Sequence, residues 1–148
     1  MRSLGLLTLL LTGCAAVPAA PAAPPSPEPA VLLVKVEARG GLCVTGTTCE
    51  SSITVLSDGA WTRLVNGARQ TGTLTGGRVA QLADAVDRTE LADAPAFTGT
   101  CPVAYDGQEQ LLSWLEDGKQ ITVASCEQEF DPADPLVAAA AELSAELA

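Results

Sequence analysis

The side chains of this chain that could do chemistry are cysteines and carboxylates. Cys14, Cys43, Cys49, Cys101 and Cys126 are thiols, and Asp106, Glu109, Glu116 and Asp117 gather acids around one short stretch. There is no histidine, which excludes a Ser-His-Asp or Cys-His catalytic centre and a His-ligated metal. A hydrolase built here would have to be carboxylate-based. Asp117 is explained by turn chemistry in Asp117-Gly118 and Glu116 by a strand end, so only Asp106 and Glu109 are left to serve it. Two acids so close in sequence more often face solvent than share a proton, so no enzyme is expected. Thr75-Gly76-Gly77 lacks a following Gly-Lys-Ser or Gly-x-x-Gly, so it is no phosphate cradle, and no cofactor or metal is implied.

The first thiol has a different setting. Met1-Arg2 carries one positive charge, and the apolar run from Leu4 to Leu11 is too short to span a bilayer but suits the core of an export signal. Leu11-Thr12-Gly13-Cys14 then resembles the lipobox of bacterial lipoproteins. That resemblance implies a signal peptide over 1–13, cleavage before Cys14, and a diacylglyceryl group on its sulfur. Two acyl chains of palmitate type suffice for stable anchoring at about 0.8 kcal/mol per buried CH₂. The expected location is the extracytoplasmic face of the cell membrane, with the membrane itself as one partner. From Ala15 to Ala30, thirteen of sixteen residues are Ala or Pro, so 14–30 reads as a tether. Fully extended it would reach roughly 50 Å at about 3.1 Å per residue.

With Cys14 assigned to lipid, four cysteines are left in an oxidising compartment, and two disulfides follow. Three pairings are possible. Cys43–Cys49 with Cys101–Cys126 is favoured because each joins nearest neighbours and closes a loop between predicted elements. In the chain-entropy model such loops contribute about 2.4 and 3.5 kcal/mol. No Cys-x-x-Cys is present to suggest a redox centre.

The formal charge of the 148 residues is −10, and cleavage after residue 13 removes Arg2 and no acid, which deepens it to −11. Nucleic acid is therefore excluded as a partner. No basic residue follows Lys119, whereas Glu127, Glu129, Asp131, Asp134, Glu142 and Glu146 do, without the spacing of a calcium loop. These read as a solvated acidic face. Aromatics make up only 3% of the chain, so the interior is expected to consist of Ala, Val and Leu around Trp61, Trp114, Phe97, Tyr105 and Phe130.

The elements that must position these residues begin at 31, with a single domain expected over 31–148. Val31 to Val36 reads as a strand ending at Gly40-Gly41. Ser51 to Ser57 and Ala60 to Val65 form a hairpin across Asp58-Gly59. A two-residue turn there would pair Val55 with Thr62 and Ile53 with Leu64 on the core face, and Leu56 with Trp61 on the other. Thr71 to Thr75 adds a short strand after Asn66-Gly67. Val79, Leu82, Ala83, Val86 and Glu90 lie at helical spacing behind a Thr75 cap. A second hairpin, Gln110 to Glu116 and Lys119 to Ser125 around Asp117-Gly118, sets Trp114 against Ile121 and Leu112 against Val123. Asp134-Pro135 opens a last helix with Leu136, Ala139, Ala140, Leu143 and Leu147 as its buried stripe. The fold class expected is α+β, a small antiparallel sheet of two hairpins covered by two helices and stabilised by disulfides.

Between the first helix and the second hairpin runs a long connection from Phe97 to Glu109 that carries two aromatics, a cysteine and a proline. A loop of that length braced by a disulfide suits recognition, with Phe97, Val103, Ala104, Tyr105 and Asp106 as candidates. The competing reading tucks Phe97 and Tyr105 under the sheet. With Ser125-Cys126-Glu127 and the stretch Asp131 to Leu136, the segment resembles small lipoproteins and secreted proteins of high-GC Gram-positive bacteria, a group without an agreed activity. The likeness covers about the C-terminal third. Together with the lipid anchor, the tether and the lack of a catalytic constellation, the expectation is a non-catalytic binding or interaction module of the cell envelope, with an envelope or secreted protein as partner. Cys101-Pro102-Val103-Ala104-Tyr105-Asp106 also resembles the reactive-site loop of Streptomyces subtilisin inhibitor-like proteins, which are small antiparallel sheets with two helices and two disulfides. That second resemblance implies a serine protease inhibitor, with Val103 in the primary specificity position and Ala104 after the scissile bond, braced as a rigid substrate mimic. The short Cys43–Cys49 loop departs from that family, and nothing before residue 95 matches it.

Overall fold

The β-rich run Leu32–Arg39 becomes β1, and it lies in the middle of the sheet. The computed structural model describes residues 29–41 and 50–148. In it β2 (Ser51–Leu56), β3 (Ala60–Val65) and β4 (Ala68–Thr73) lie to one side of β1 in succession. β5 (Glu109–Glu116) and β6 (Lys119–Ala124) lie to the other. The order is β4-β3-β2-β1-β5-β6, antiparallel throughout. With helices α1 (Gly76–Arg88) and α2 (Pro135–Glu146) this is an α+β fold, in which the two hairpins are joined through β1 into one six-stranded sheet.

One face of that sheet is the core. Val34, Ile53, Val55, Leu112, Trp114 and Val123 from the strands meet Leu82 and Ala85 of α1 and Leu136, Ala139, Ala140 and Leu143 of α2. Phe130 and Trp61 pack against this cluster. Among the described residues, both helices α1 and α2 lie on this core face and neither covers the opposite one. There the register sets Thr71, Thr62, Thr54, Lys35, Ser113 and Thr122 in one row across all six strands. Ser113, at 1% exposure, shares a hydrogen bond of 2.9 Å with Thr122.

The β5–β6 hairpin has the expected register, Trp114 opposite Ile121 and Leu112 opposite Val123. Asp117 (φ 49°) and Gly118 (φ 73°) both adopt the left-handed region, which is the two-residue type I′ turn. The first hairpin differs by one residue. Val55 pairs with Trp61 and Ile53 with Arg63, where Thr62 and Leu64 were expected. Gly59 takes φ 85°, its N–H donates to the Leu56 carbonyl, and Asp58 Oδ1 accepts from Ala60 N–H, so Ser57, Asp58 and Gly59 together form the loop. One extra loop residue moves every β3 side chain to the other face. This brings Trp61 to the core side and leaves Leu64 exposed.

β4 begins at Ala68, earlier than Thr71, because Asn66-Gly67 turns in two residues and pairing resumes at once. It ends at Thr73, since Leu74 donates to the Gly59 carbonyl and is buried. Thr75 caps α1, its hydroxyl accepting from Arg78 N–H at 3.3 Å. The helix stops at Arg88, so Glu90 falls outside it. Arg78, only 14% exposed, reaches across to Glu142 and Glu146 at 3.1 Å each and joins α1 to the far end of α2.

Asp134 makes the complementary junction at the other end of the helices. Its Oδ1 accepts from the Leu136 and Val137 N–H groups, the capping pattern of a helix start. The same carboxylate accepts from the Thr89 hydroxyl at 2.9 Å and from Glu90 N–H at 3.2 Å, so it ties the end of α1 to the start of α2.

Candidate functional site

The connection from Phe97 to Glu109 is fastened before it reaches its tip. Ala96 bridges to Gln128, and Phe97 N–H donates to the Glu127 carbonyl at 2.9 Å. Cys101 and Cys126 form a disulfide with Cα atoms 5.1 Å apart, the expected pairing. Cys14, Cys43 and Cys49 lie outside the described residues, as do the lipobox and all but the last two residues of the tether.

From Pro102 to Tyr105 the chain makes a 3₁₀ turn. Pro102 starts it with a fixed φ, Ala104 N–H donates to the Cys101 carbonyl, and Gly107 N–H donates to the Pro102 carbonyl. Asp106 ends it in the left-handed conformation at φ 61°, which aspartate tolerates better than most residues. The turn rests on Gly40 and Gly41 just beyond β1. A Cβ on Gly40 would come within 2.9 Å of a Val103 methyl, and one on Gly41 within 2.9 Å of the Asp106 carbonyl. Both glycines have φ near 90°, which only glycine adopts readily. The pair read in sequence only as a strand end is the seat of the loop.

This seating decides which candidates are displayed. Phe97 is half-buried, its ring lying over Gly99. Val103 is 39% exposed, and Ala104 and Asp106 are exposed. Tyr105 is 79% exposed, so it is not a core aromatic. The turn directs Val103 toward Gly40 and leaves the phenol two residues later in solvent. Val103 and Ala104 both lie within the 3₁₀ turn, whereas a substrate mimic needs an extended backbone there.

The two unexplained acids are separated by their partners. Glu109, with its side chain 12% exposed, receives Arg39 Nε at 2.8 Å. Asp106 stands at the end of the turn. Elsewhere an open groove of about 650 Å³ is lined by Glu90, Asp93, Glu129, Asp131 and Asp134. The Asp134 carboxylate is already engaged by four donors there. Among the described residues no group of three or more His, Cys, Asp or Glu is placed to hold a metal ion.

The sequence showed the disulfide, the proline and the exposed length of the loop. It did not show the Gly40-Gly41 seat or the Arg39–Glu109 pair, because both depend on β1 lying beside β5. Among known proteins, no family model matches the chain and no curated protein matches it.

Proposed function

We propose that this chain is a non-catalytic interaction module of the bacterial cell envelope, anchored through lipid on Cys14, and that it recognises a protein partner with the Pro102–Tyr105 turn. The observation that carries the reading is the display of Tyr105, 79% exposed beside a half-exposed Val103, on a turn pinned by a disulfide and a glycine seat. An exposed aromatic on a preordered backbone loses little conformational entropy on binding, which is the economy that recognition loops use. The chain enters β1 at Leu32, and the turn rests beyond Arg39 at the other end of that strand, about 26 Å away at about 3.3 Å per residue. A domain tethered at its N-terminus would thus carry the turn on the end away from the anchor.

A photo-crosslinking residue in place of Tyr105 should give a discrete adduct in the producing cell, and the same residue in place of Lys119 should not. Equal labelling from both positions would remove the assignment of the turn. The inhibitor reading uses the same loop and is supported by the disulfide at its base, but the 3₁₀ turn would have to open for Val103-Ala104 to enter a protease. On that reading, titrating subtilisin with the protein abolishes its activity stoichiometrically, and Val103→Pro restores it; unaltered activity would end it. Anchoring has its own test. Cys14→Ala should abolish incorporation of labelled palmitate and leave the precursor uncleaved, and labelling that survives would refute it.

A further inference from the structure

We infer that β4 is a self-association edge, through which two copies of this chain join their sheets. The inference goes beyond the proposed function and does not depend on it. β4 is the last strand on its side of the sheet, and all its residues but Gly72 are exposed. Its pairing fixes which backbone groups are unused. Val65 and Ala68 close a two-residue turn and so form a hydrogen-bonded pair, after which such pairs alternate at Arg63 with Gln70 and Trp61 with Gly72. The Leu74 N–H bond to the Gly59 carbonyl continues that series. Arg69, Thr71 and Thr73 therefore direct their N–H and C=O groups away from the sheet, and among the described residues those groups have no partner.

An edge of this kind templates strand addition, and proteins that avoid it place proline, lysine, an inward charge or a bulge there. β4 has no proline, lysine, inward charge or bulge, and Arg69 is its one charged residue, whereas the opposite edge β6 opens with Lys119. A second copy fits the vacant groups better than an arbitrary peptide because β4 is complementary to itself. With a two-fold axis through Thr71, that residue faces Thr71 of the second copy, and Arg69 faces Thr73 of the second copy. Each such pair exchanges two hydrogen bonds. No like charges stand opposite one another, and threonine beside threonine is a favourable cross-strand pair. The charge distribution agrees. From Gly59 to Ala83 there is no Asp or Glu in a chain of net −10, so this edge lets two acidic molecules meet without carboxylate facing carboxylate. The row Thr54, Thr62, Thr71 on the face opposite α1 and α2 would then continue unbroken into the second copy.

The test uses the full chain in mild detergent. Sedimentation velocity should show a dimer that grows with protein concentration, and Thr71→Pro should return it to monomer with an unaltered circular dichroism spectrum. The proline removes an outward N–H and no bond within the molecule. Hydrogen-bonded antiparallel partners lie about 5.5 Å apart at Cα, within disulfide reach. Under mild oxidation Thr71→Cys should therefore give at least about ten times more covalent dimer than Thr122→Cys on the other edge strand. A monomer at every concentration, dimers that persist in folded Thr71→Pro, or Thr71→Cys cross-linking no faster than Thr122→Cys would each overturn the inference.

Discussion

Replacing Cys101 and Cys126 together with alanine should lower the unfolding free energy by about 3.5 kcal/mol. The bridge closes a loop of sequence separation 25, and in the chain-entropy model that constraint removes about 12 cal/mol/K from the unfolded ensemble. Substituting both residues leaves neither partner of this bridge as an unpaired thiol. With a urea slope of about 1.5 kcal/mol/M, the midpoint of denaturation should move down by roughly 2 M. The loss should also reach the turn, because Pro102 follows Cys101 directly. Hydrogen exchange at Ala104 and Gly107, whose N–H groups close the turn, should accelerate more than exchange in β1. A midpoint shift below about 0.5 M would mean that the pairing of 95–97 with 127–129 holds the loop without the covalent bond.

The second large effect is expected at a residue with no part in recognition. Asp134→Ala should cost about 3 kcal/mol: about 1 for the lost helix cap, and about 1 each for the Thr89 hydroxyl and the Glu90 N–H left without an acceptor. Asp134→Asn separates these contributions. Its carbonyl oxygen can still cap α2 at Leu136 and Val137, but its amide nitrogen cannot accept from Glu90, so about 1 kcal/mol should be lost. A loss of only about 1 kcal/mol for Asp134→Ala, with none for Asp134→Asn, in urea titrations would show that capping alone accounts for the role of Asp134 and that the tie to α1 contributes nothing.

The cap was legible in the sequence because Asp-Pro before an apolar stripe is a local signal. The tie to Thr89 was not, since it spans forty-five residues. The same division runs through the sheet. Asp117-Gly118 determines the register of β5 and β6 because both residues take positive φ and the strands leave the turn in step. Asp58-Gly59 has the same side chains but encloses Ser57 as well, and only the Leu56–Gly59 hydrogen bond reveals it. Residue types do not distinguish a two-residue from a three-residue loop when both accommodate Asp and Gly. Residue type leaves Tyr105 open between the core and a recognition surface, and its place is decided by what Val103 rests on, a surface that comes from the end of β1. Composition indicated that the loop was braced, but not which side of it faced outward.

The central position of β1 also orders events in time. The strand that the chain makes first must wait for β5, whose pairing joins Arg39 to Glu109 across seventy residues. Strands β1 to β4 can form a local meander early, but the helices that cover it and the strands that complete the sheet arrive later, and contacts so far apart in sequence slow the search for the native state. Cys126 comes later still than β5, so the bridge can close only after all six strands have been made. The order of strands therefore acts as a clock: a polypeptide threaded lengthwise through a narrow channel would stay unfolded for most of its passage and complete its sheet only after the last strands had cleared the channel.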